Sequence, residues 1–388
     1  MAERIIYLNN AATSWPKPEP VVNRVLWALK ELNATPGRGG TAAASERVLF
    51  EAREVVAGFI GAGDSSRVIF TSNATAALNL AICGLLRSGD HVVTTSMDHN
   101  SVARPLARME DTVGIEVSRV GADREGSVTA DSILDAVRPH TALVILTHAS
   151  NVTGTIQPVE EVGRRLRELE GKRPRLLVDA AQSAGILPID VRVSGIDLLA
   201  VPGHKALYGP AGTGFLYIAD DLVLDPLLEG GTGGRSTLRR QPDLLPERYE
   251  SGTPNLPGIA GLAEAVKYVS RTGIDGIRRQ ESSLAAAVME GLQDLPGVTL
   301  YGPCDPERQV AVISFRVDGL DPAEVSGFLE EVAGVQVRVG LHCSPFSHQT
   351  IGTYPEGTVR VSPGLFSTQE DIRALLDGLR QMLGMRRK

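Results

Sequence analysis

The chain has 388 residues, of which 43% are hydrophobic and 22% are charged, so a disordered, fibrous or disulfide-stapled protein is excluded. The formal net charge of −7 argues against a surface that binds nucleic acid or anionic membranes. Its three cysteines include no CxxC pair, and no stretch approaches the roughly 20 apolar residues of a membrane span. We therefore expect a cytoplasmic protein of two or three domains.

Short runs rich in Val, Ile and Leu alternate with helical patterns over the first part of the chain. Several runs are nearly continuous in apolar residues, which is typical of strands buried on both faces. The predicted strands are Arg67–Thr71, His91–Thr95, Ile115–Val120, Ala142–Thr147, Arg175–Asp179, Asp197–Val201 and Gly214–Ile218. The helices predicted between them are Ala74–Leu86, Ala130–Val137 and Val159–Leu169. This alternation predicts an α/β domain with a mostly parallel sheet.

The pattern changes after a Gly- and Pro-rich stretch that covers residues 230–258. The helices predicted beyond it are Ile259–Arg271, Ile274–Leu295, Pro322–Val332 and Thr368–Leu383. The strands predicted beyond it are Val310–Val317, Val335–Val339 and Thr358–Val361. We therefore predict a large α/β domain over residues 17–257. A smaller α+β domain would comprise residues 258–388 together with the N-terminal segment 1–16.

Lys205 and Asp179 are the residues most informative about chemistry. Lys205 is one of only six lysines among 39 basic residues, and it lies in a turn directly after the apolar run 198–201. Burial there would lower the pKa of its ammonium group and let the amine form a Schiff base. Asp179 ends the preceding apolar run, where a carboxylate could pair with a protonated pyridine nitrogen. Such a pair is what pyridoxal phosphate (PLP) requires, although a surface lysine and a helix cap are the ordinary alternatives.

Polar residues follow other predicted strands as well. An Ala-rich helix begins at Asn73, Ala74 and Thr75. Its first N–H groups and the hydroxyl of Thr75 could bind a phosphate. Residues of these types are also ordinary N-caps. His99 could stack on a flat cofactor, and Asn151 follows a fourth strand. Open α/β sheets bind ligands at the carboxyl ends of their strands, so we expect these groups to converge. The histidines and acids show no spacing typical of a metal site.

Six motifs over nearly the whole chain resemble those of class V aminotransferase-family PLP enzymes of fold type I. Within that group they are similar to cysteine desulfurases and selenocysteine lyases. The motifs are Tyr7–Thr13, Thr147–Gly154, Val178–Gln182, Gly203–Lys205, Ser251–Asn255 and Arg338–Cys343. The chain departs from the residues common in the group at Ala74, Pro202 and Leu341. The resemblance implies a large PLP-binding domain with a mostly parallel sheet and a smaller α+β domain.

The same resemblance implies roles for individual residues. Lys205 would be the Schiff-base and catalytic lysine, with His99 and Cys343 as further catalytic residues. The other residues implied to bind the cofactor are Asn73, Ala74, Thr75, Asn151, Asp179, Gln182, His204, Gly252 and Thr253. Asn151, Arg338 and Arg360 would bind the substrate, with Arg360 on its carboxylate. The segment with Gly252 and Thr253 resembles one that reaches the phosphate of a neighbouring subunit, which implies a homodimer.

Cys343 distinguishes between the reactions of this group. It lies in a Gly-, Ser- and Pro-containing loop that could carry a thiolate from the cofactor to the surface. We therefore predict a PLP-dependent cysteine desulfurase, a sulfurtransferase that converts L-cysteine to L-alanine. The sulfur of the persulfide left on Cys343 would pass to an acceptor protein or a thiol. The alternatives are a lyase of L-selenocysteine, another β-elimination or epimerisation of an amino acid, and a catalytically idle scaffold.

Overall fold

The computed structural model describes residues 5–32, 40–171, 173–233 and 237–385. Its strands are β1 (Ile6–Tyr7), β2 (Val68–Thr71), β3 (His91–Thr95), β4 (Glu116–Val120), β5 (Thr141–Thr147), β6 (Arg175–Asp179), β7 (Leu198–Pro202), β8 (Gly214–Ile218), β9 (Val298–Tyr301), β10 (Ile313–Val317), β11 (Val335–Gln336), β12 (Arg338–Gly340) and β13 (Thr358–Val361). Its helices are α1 (Glu19–Glu31), α2 (Gly40–Phe59), α3 (Ala74–Leu85), α4 (Asn100–Val113), α5 (Ala130–Asp135), α6 (Val159–Arg167), α7 (Leu256–Thr272), α8 (Ile274–Gln293), α9 (Pro322–Ala333), α10 (Pro345–Ile351) and α11 (Gln369–Met385).

The central sheet has the strand order β2-β8-β7-β6-β5-β3-β4 and is parallel except for β8, which runs antiparallel to both of its neighbours. Side chains alternate between the two faces of a strand, and both faces of this sheet are covered. In β5, Val144 and Leu146 belong to one hydrophobic core, whereas Leu143 and Ile145 belong to the core on the opposite face. The continuous apolar runs in the sequence therefore reflect burial on both sides.

The seven strands predicted for the large domain are confirmed, and their ends shift by one residue at most. The three predicted helices are also present, and α5 and α6 end two residues earlier than expected. Helices α1, α2 and α4 were not predicted. Among the helices in the described ranges, none combines the length and apolar character needed to cross a membrane.

The smaller unit is built on the antiparallel sheet β12-β13-β10-β9. The prediction of one strand over Val335–Val339 is wrong, because the chain changes partners at Val337. Before that residue β11 pairs in parallel with β1, and after it β12 pairs antiparallel with β13. Side-chain pattern alone cannot show which backbone a strand will pair with, so the break was invisible in the sequence.

The predicted strand Val310–Val317 begins only at Ile313, because the preceding residues bind the large domain instead. The N–H of Val310 donates to the carbonyl of Gly154 at 2.9 Å, and Gln309 forms a bridge with Thr155. Strand β9, which completes this sheet, was not predicted.

Helix α7 contains the predicted domain boundary between residues 257 and 258. It packs against α1 and α2, and its residues Leu262 and Val266 join the core on one face of the central sheet. Helix α8, in contrast, contributes Leu284 and Val288 to the core of the smaller unit. The division into domains remains a prediction, and the helix at its boundary shares its core with the large unit.

A buried carboxyl group, that of Glu281, joins the two units. The hydroxyl of Tyr208 donates to Glu281 Oε1 at 3.1 Å and accepts from the N–H of Leu365 at 2.8 Å. Glu281 is 3% exposed, and burial raises its pKa from 4.5 to about 7, although the Tyr208 hydrogen bond and the charge of Arg278 oppose this shift. The native state therefore holds a proton that the unfolded chain releases above pH 4.5.

Replacing Glu281 with glutamine should stabilise the protein at pH 8 and have no such effect at pH 4.5. In the wild type, the free energy of unfolding should fall as the pH rises from 4.5 to 7, because only the unfolded state loses this proton. At pH 8 the glutamine variant should therefore be more stable by up to about 3 kcal/mol. Denaturant unfolding across this pH range measures the difference. Glu290→Gln, at an exposed position of α8, is the control, and an equal response of both variants would contradict the prediction.

Candidate active site

A cavity of about 250 Å³ lies at the carboxyl ends of the central strands. Thr147, Asp179 and Pro202, the last residues of β5, β6 and β7, form part of its wall. The smaller unit closes the cavity with Arg338 of β12 and Arg360 of β13. The cavity therefore occupies the place where open α/β sheets bind ligands, between the two units.

Most of the predicted site residues line this single cavity. They are Asn73, Ala74, Thr75, His99, Asn151, Asp179, Gln182, His204, Lys205, Arg338, Cys343 and Arg360. Gly252 and Thr253 do not line it and are exposed. Wall residues that were not assigned to the site are Ala11, Ala12, Ser101, Thr147, Ala149, Ala181, Pro202 and His342. Thr147 and Pro202 end strands, so the position of strand ends could have identified them.

Lys205 and Asp179 have pKa values that burial shifts towards neutrality. Burial lowers the pKa of Lys205 from 10.5 to about 8; Asp179 opposes this change and Arg360 adds to it. Asp179 is 2% exposed, and burial raises its pKa although the charge of Lys205 and a hydrogen bond from the Ala181 N–H to Oδ1 act against it. A lysine with this pKa can release and recover a proton near neutral pH.

The turn that carries Lys205 is tied to the N-terminal segment. The carbonyl of His204 accepts hydrogen bonds from Thr13 Oγ1 at 3.1 Å, from the Ser14 N–H at 3.0 Å and from Lys17 Nζ at 2.9 Å. Ser14 Oγ also donates to the carbonyl of Lys205 at 2.8 Å. These bonds fix the backbone from which the Lys205 side chain enters the cavity.

One end of the cavity is formed by the first residues of α3. Asn73 caps this helix, because its Oδ1 accepts from the N–H of Ala76 at 2.9 Å. Ala74 and Thr75 line the wall, and the first N–H groups of a helix have no partner within it. His204 lines the cavity as well, and burial lowers its pKa to about 4. These groups can hold an anion by hydrogen bonds and the helix dipole.

His99 lies on the wall as the N-cap residue of α4. Its Nδ1 accepts from the N–H of Ser101 at 3.1 Å, so the ring proton is assigned to Nε2. Burial, together with the charges of Lys205 and Arg360, lowers the pKa of His99 to about 4. The imidazole on the cavity wall is therefore neutral at physiological pH.

Arg360 is a buried cation whose donors are only partly used. Its Nη1 donates to the carbonyl of Asn151 at 2.9 Å and its Nη2 to Asn9 Oδ1 at 3.2 Å. Its Nε is buried and has no acceptor among the residues described. Burial lowers the pKa of Arg360 to about 10, so the guanidinium stays charged at neutral pH. An anionic group in the cavity would meet a fixed positive charge.

The loop with Cys343 connects β12 to α10. The side chain of Cys343 is exposed and also lines the cavity. The loop is anchored, since Asn151 Nδ2 donates to the carbonyl of His342 at 2.7 Å and the N–H of Asn100 donates to that of Cys343 at 2.8 Å. That the loop carries the thiol from the cavity to the surface remains a prediction. In this structure the side chain of Cys343 lines the cavity and is exposed in the same position.

The sequence model of the family described as Aminotransferase class-V matches residues 6–375. The chain belongs to this family. It is 38% identical, over 98% of its length and 95% of the relative's, to a probable cysteine desulfurase of Methanothermobacter thermautotrophicus. These matches confirm the predicted resemblance.

Two solved structures are similar to this chain. One is an apo cysteine desulfurase of Thermococcus onnurineus NA1, with a TM-score of 0.91 and 33% identity over 98% of this chain and 95% of that one. The other is the cysteine desulfurase CsdA of Escherichia coli, with a TM-score of 0.87 and 26% identity over the same shares of the two chains. Together with the mostly parallel central sheet, these similarities confirm the predicted α/β fold of type I PLP enzymes.

Proposed function

We propose that this protein is a PLP-dependent cysteine desulfurase that converts L-cysteine to L-alanine and retains the sulfur as a persulfide on Cys343. The observation that carries the proposal is the convergence of Lys205, Asp179 and Cys343 on one cavity. A scaffold without activity would have no need for a half-buried lysine and a buried aspartate on the wall of one cavity. The naming of the similar proteins as cysteine desulfurases supports the choice of substrate.

Several polar groups of the cavity wall fit PLP. Thr147 Oγ1 and Arg360 Nε are buried and unpaired within the described ranges, so both have hydrogen-bonding capacity to offer a ligand. The start of α3 suits a phosphate, and the carboxylate of Asp179 suits a protonated pyridine nitrogen. Lys205, which lines the same cavity, would hold the aldehyde carbon. When bound, PLP supplies an electron sink for the Cα of the substrate.

The remaining chemistry belongs to the side chains of the cavity. Arg360 would hold the substrate carboxylate, with Arg338 at the exposed rim as a second cation. The amine of Lys205 would take the proton from Cα and return a proton to the carbon skeleton. The thiolate of Cys343 would attack the substrate sulfur, forming an S–S bond while the C–S bond breaks. The sulfur is oxidised and the carbon is reduced, so the step needs no external oxidant.

We also propose a homodimer in which Gly252 and Thr253 bind the phosphate of the neighbouring subunit. Both residues are exposed, and the segment before them is held because Glu250 accepts two hydrogen bonds from Arg53. The exposed apolar side chains of α1 and α2 also suit a contact with a second copy. They are Val22, Leu26, Trp27, Leu29 and Phe50. Sedimentation analysis of the purified protein measures the oligomeric state, and a monomer would contradict this part of the proposal.

Incubation of the PLP-loaded protein with L-cysteine tests the function. We expect L-alanine, and mass spectrometry should find one added sulfur on the peptide that contains Cys343. Borohydride treatment of the loaded protein should attach the cofactor to the peptide that contains Lys205. A parallel incubation with L-selenocysteine distinguishes a lyase, which would release selenide while leaving cysteine intact. A protein that binds no PLP would contradict the proposal at its first step.

A further inference from the structure

We propose that Ser344 is a positioning residue for sulfur transfer, because its side chain and that of Asn151 form a clasp that holds Cys343 over the cavity. This inference rests on the proposed function. Ser344 Oγ donates to Asn151 Oδ1 at 2.9 Å, and both side chains are buried. Ser344 does not line the cavity, so it would act on the reaction only through Cys343 and Asn151.

The clasp acts on a strained stretch of backbone. His342 and Cys343 have φ angles of 47° and 62°, in the left-handed region that residues other than glycine rarely adopt. This conformation is unfavourable for a residue with a Cβ atom, and two such residues in succession require compensating contacts. Asn151 Nδ2 provides one at the carbonyl of His342, and the backbone of Asn100 provides another at the carbonyl of Cys343. Loss of the clasp would therefore let this stretch relax.

The other side of the loop is held by a chain of hydroxyl groups. His342 Nε2 lies 3.0 Å from Thr358 Oγ1, which donates to Ser314 Oγ at 3.1 Å. Ser314 Oγ in turn donates to the carbonyl of Val152 at 2.7 Å. Burial lowers the pKa of His342 well below its ordinary value, with Arg360 contributing, so the ring is neutral and can donate from Nε2. The loop is thus attached to residues 151 and 152 from two directions.

Asn151 connects this loop to the proposed carboxylate site. Its Oδ1 accepts from Ser344, its Nδ2 donates to the carbonyl of His342, and its own carbonyl accepts from Arg360 at 2.9 Å. Asn151 is therefore hydrogen-bonded both to the guanidinium that would hold the substrate and to the loop that carries the nucleophile. This arrangement sets the position of the thiol relative to the bound substrate, on which the rate of an attack depends steeply.

Ser344→Ala tests the clasp, with Ser347→Ala as the matched control. Ser347 lies in α10, and its buried hydroxyl has no hydrogen-bond partner within the described ranges. We expect Ser344→Ala to lower kcat for alanine formation about tenfold, with KM and the absorbance of the bound cofactor unchanged. Iodoacetamide should also alkylate Cys343 faster in this variant, as peptide mapping would show. Ser347→Ala should match the wild type in both measurements.

Equal kcat and equal alkylation rates for Ser344→Ala and Ser347→Ala would contradict the proposal that the clasp positions Cys343. If Ser344→Ala does not fold, the clasp is tested by comparing Ser344→Thr with Ser344→Val. The two new side chains have the same shape, and only threonine keeps the hydroxyl. Equal activity and alkylation in this pair would also contradict the proposal. If the wild type forms neither alanine nor persulfide, the proposed function fails, whereas the alkylation rates still test the clasp itself.

Discussion

Replacing Cys343 with serine should abolish alanine formation from L-cysteine and leave the binding of PLP intact. A serine hydroxyl cannot serve as the sulfur nucleophile, so the rate should fall roughly a thousandfold or more. The loop should keep its geometry, because its contacts to Asn151 and Asn100 involve backbone carbonyls. Alanine assays, the absorbance of the bound cofactor and mass spectrometry of the loop peptide measure the three properties.

Cys304→Ser is the matched control for this experiment. Cys304 is half-buried, lies outside the cavity and has a φ of 52°, so the same atom is exchanged in a similar backbone conformation. This control should retain wild-type activity. Selenide release from L-selenocysteine should survive in Cys343→Ser, because selenium leaves more readily without a nucleophile. If Cys343→Ser makes alanine from cysteine at the wild-type rate, with a thiol of the assay taking up the sulfur, and the wild type carries no persulfide, the protein is a lyase and not a desulfurase.

Replacing Asp179 with asparagine should reduce turnover by about a thousandfold while weakening PLP binding much less. An amide cannot keep the pyridine nitrogen protonated, whereas its Oδ1 can still accept from the N–H of Ala181. The proposed phosphate site at the start of α3 should be unaffected. Measuring kcat and the dissociation constant of PLP in the variant and in the wild type shows which of the two changes more.

The same substitution should also change the titration of Lys205. The negative charge of Asp179 raises the pKa of the lysine, which burial holds at about 8. Its removal should move this pKa further down, and a pH titration of the cofactor-free protein with an amine reagent should show it. The control Asp111→Asn changes an exposed residue of α4. It should leave the turnover and the titration of Lys205 as in the wild type. Near-normal turnover in Asp179→Asn would assign the ring nitrogen to another partner.

Much of the central sheet is determined by the sequence itself. Strands buried on both faces require continuous apolar runs, and this pattern identified β2 to β8 almost to the residue. The ends of adjacent parallel strands must meet at one edge, so Asp179 and Lys205 could be expected to lie together before the structure was known. The missed helices α1, α2 and α4 show that helical periodicity over a long segment was a weaker guide than these short runs.

Only the tertiary structure decided how the smaller unit completes the site. Arg360 and Cys343 come from segments far along the chain. The family resemblance assigned both to the site, but no local pattern tells where their side chains will lie. The break between β11 and β12 arose in the same way, because it depends on which backbone each strand pairs with. The anchoring of the Cys343 loop by Asn151 depends on contacts between residues about 190 positions apart, which only folding brings within hydrogen-bond distance.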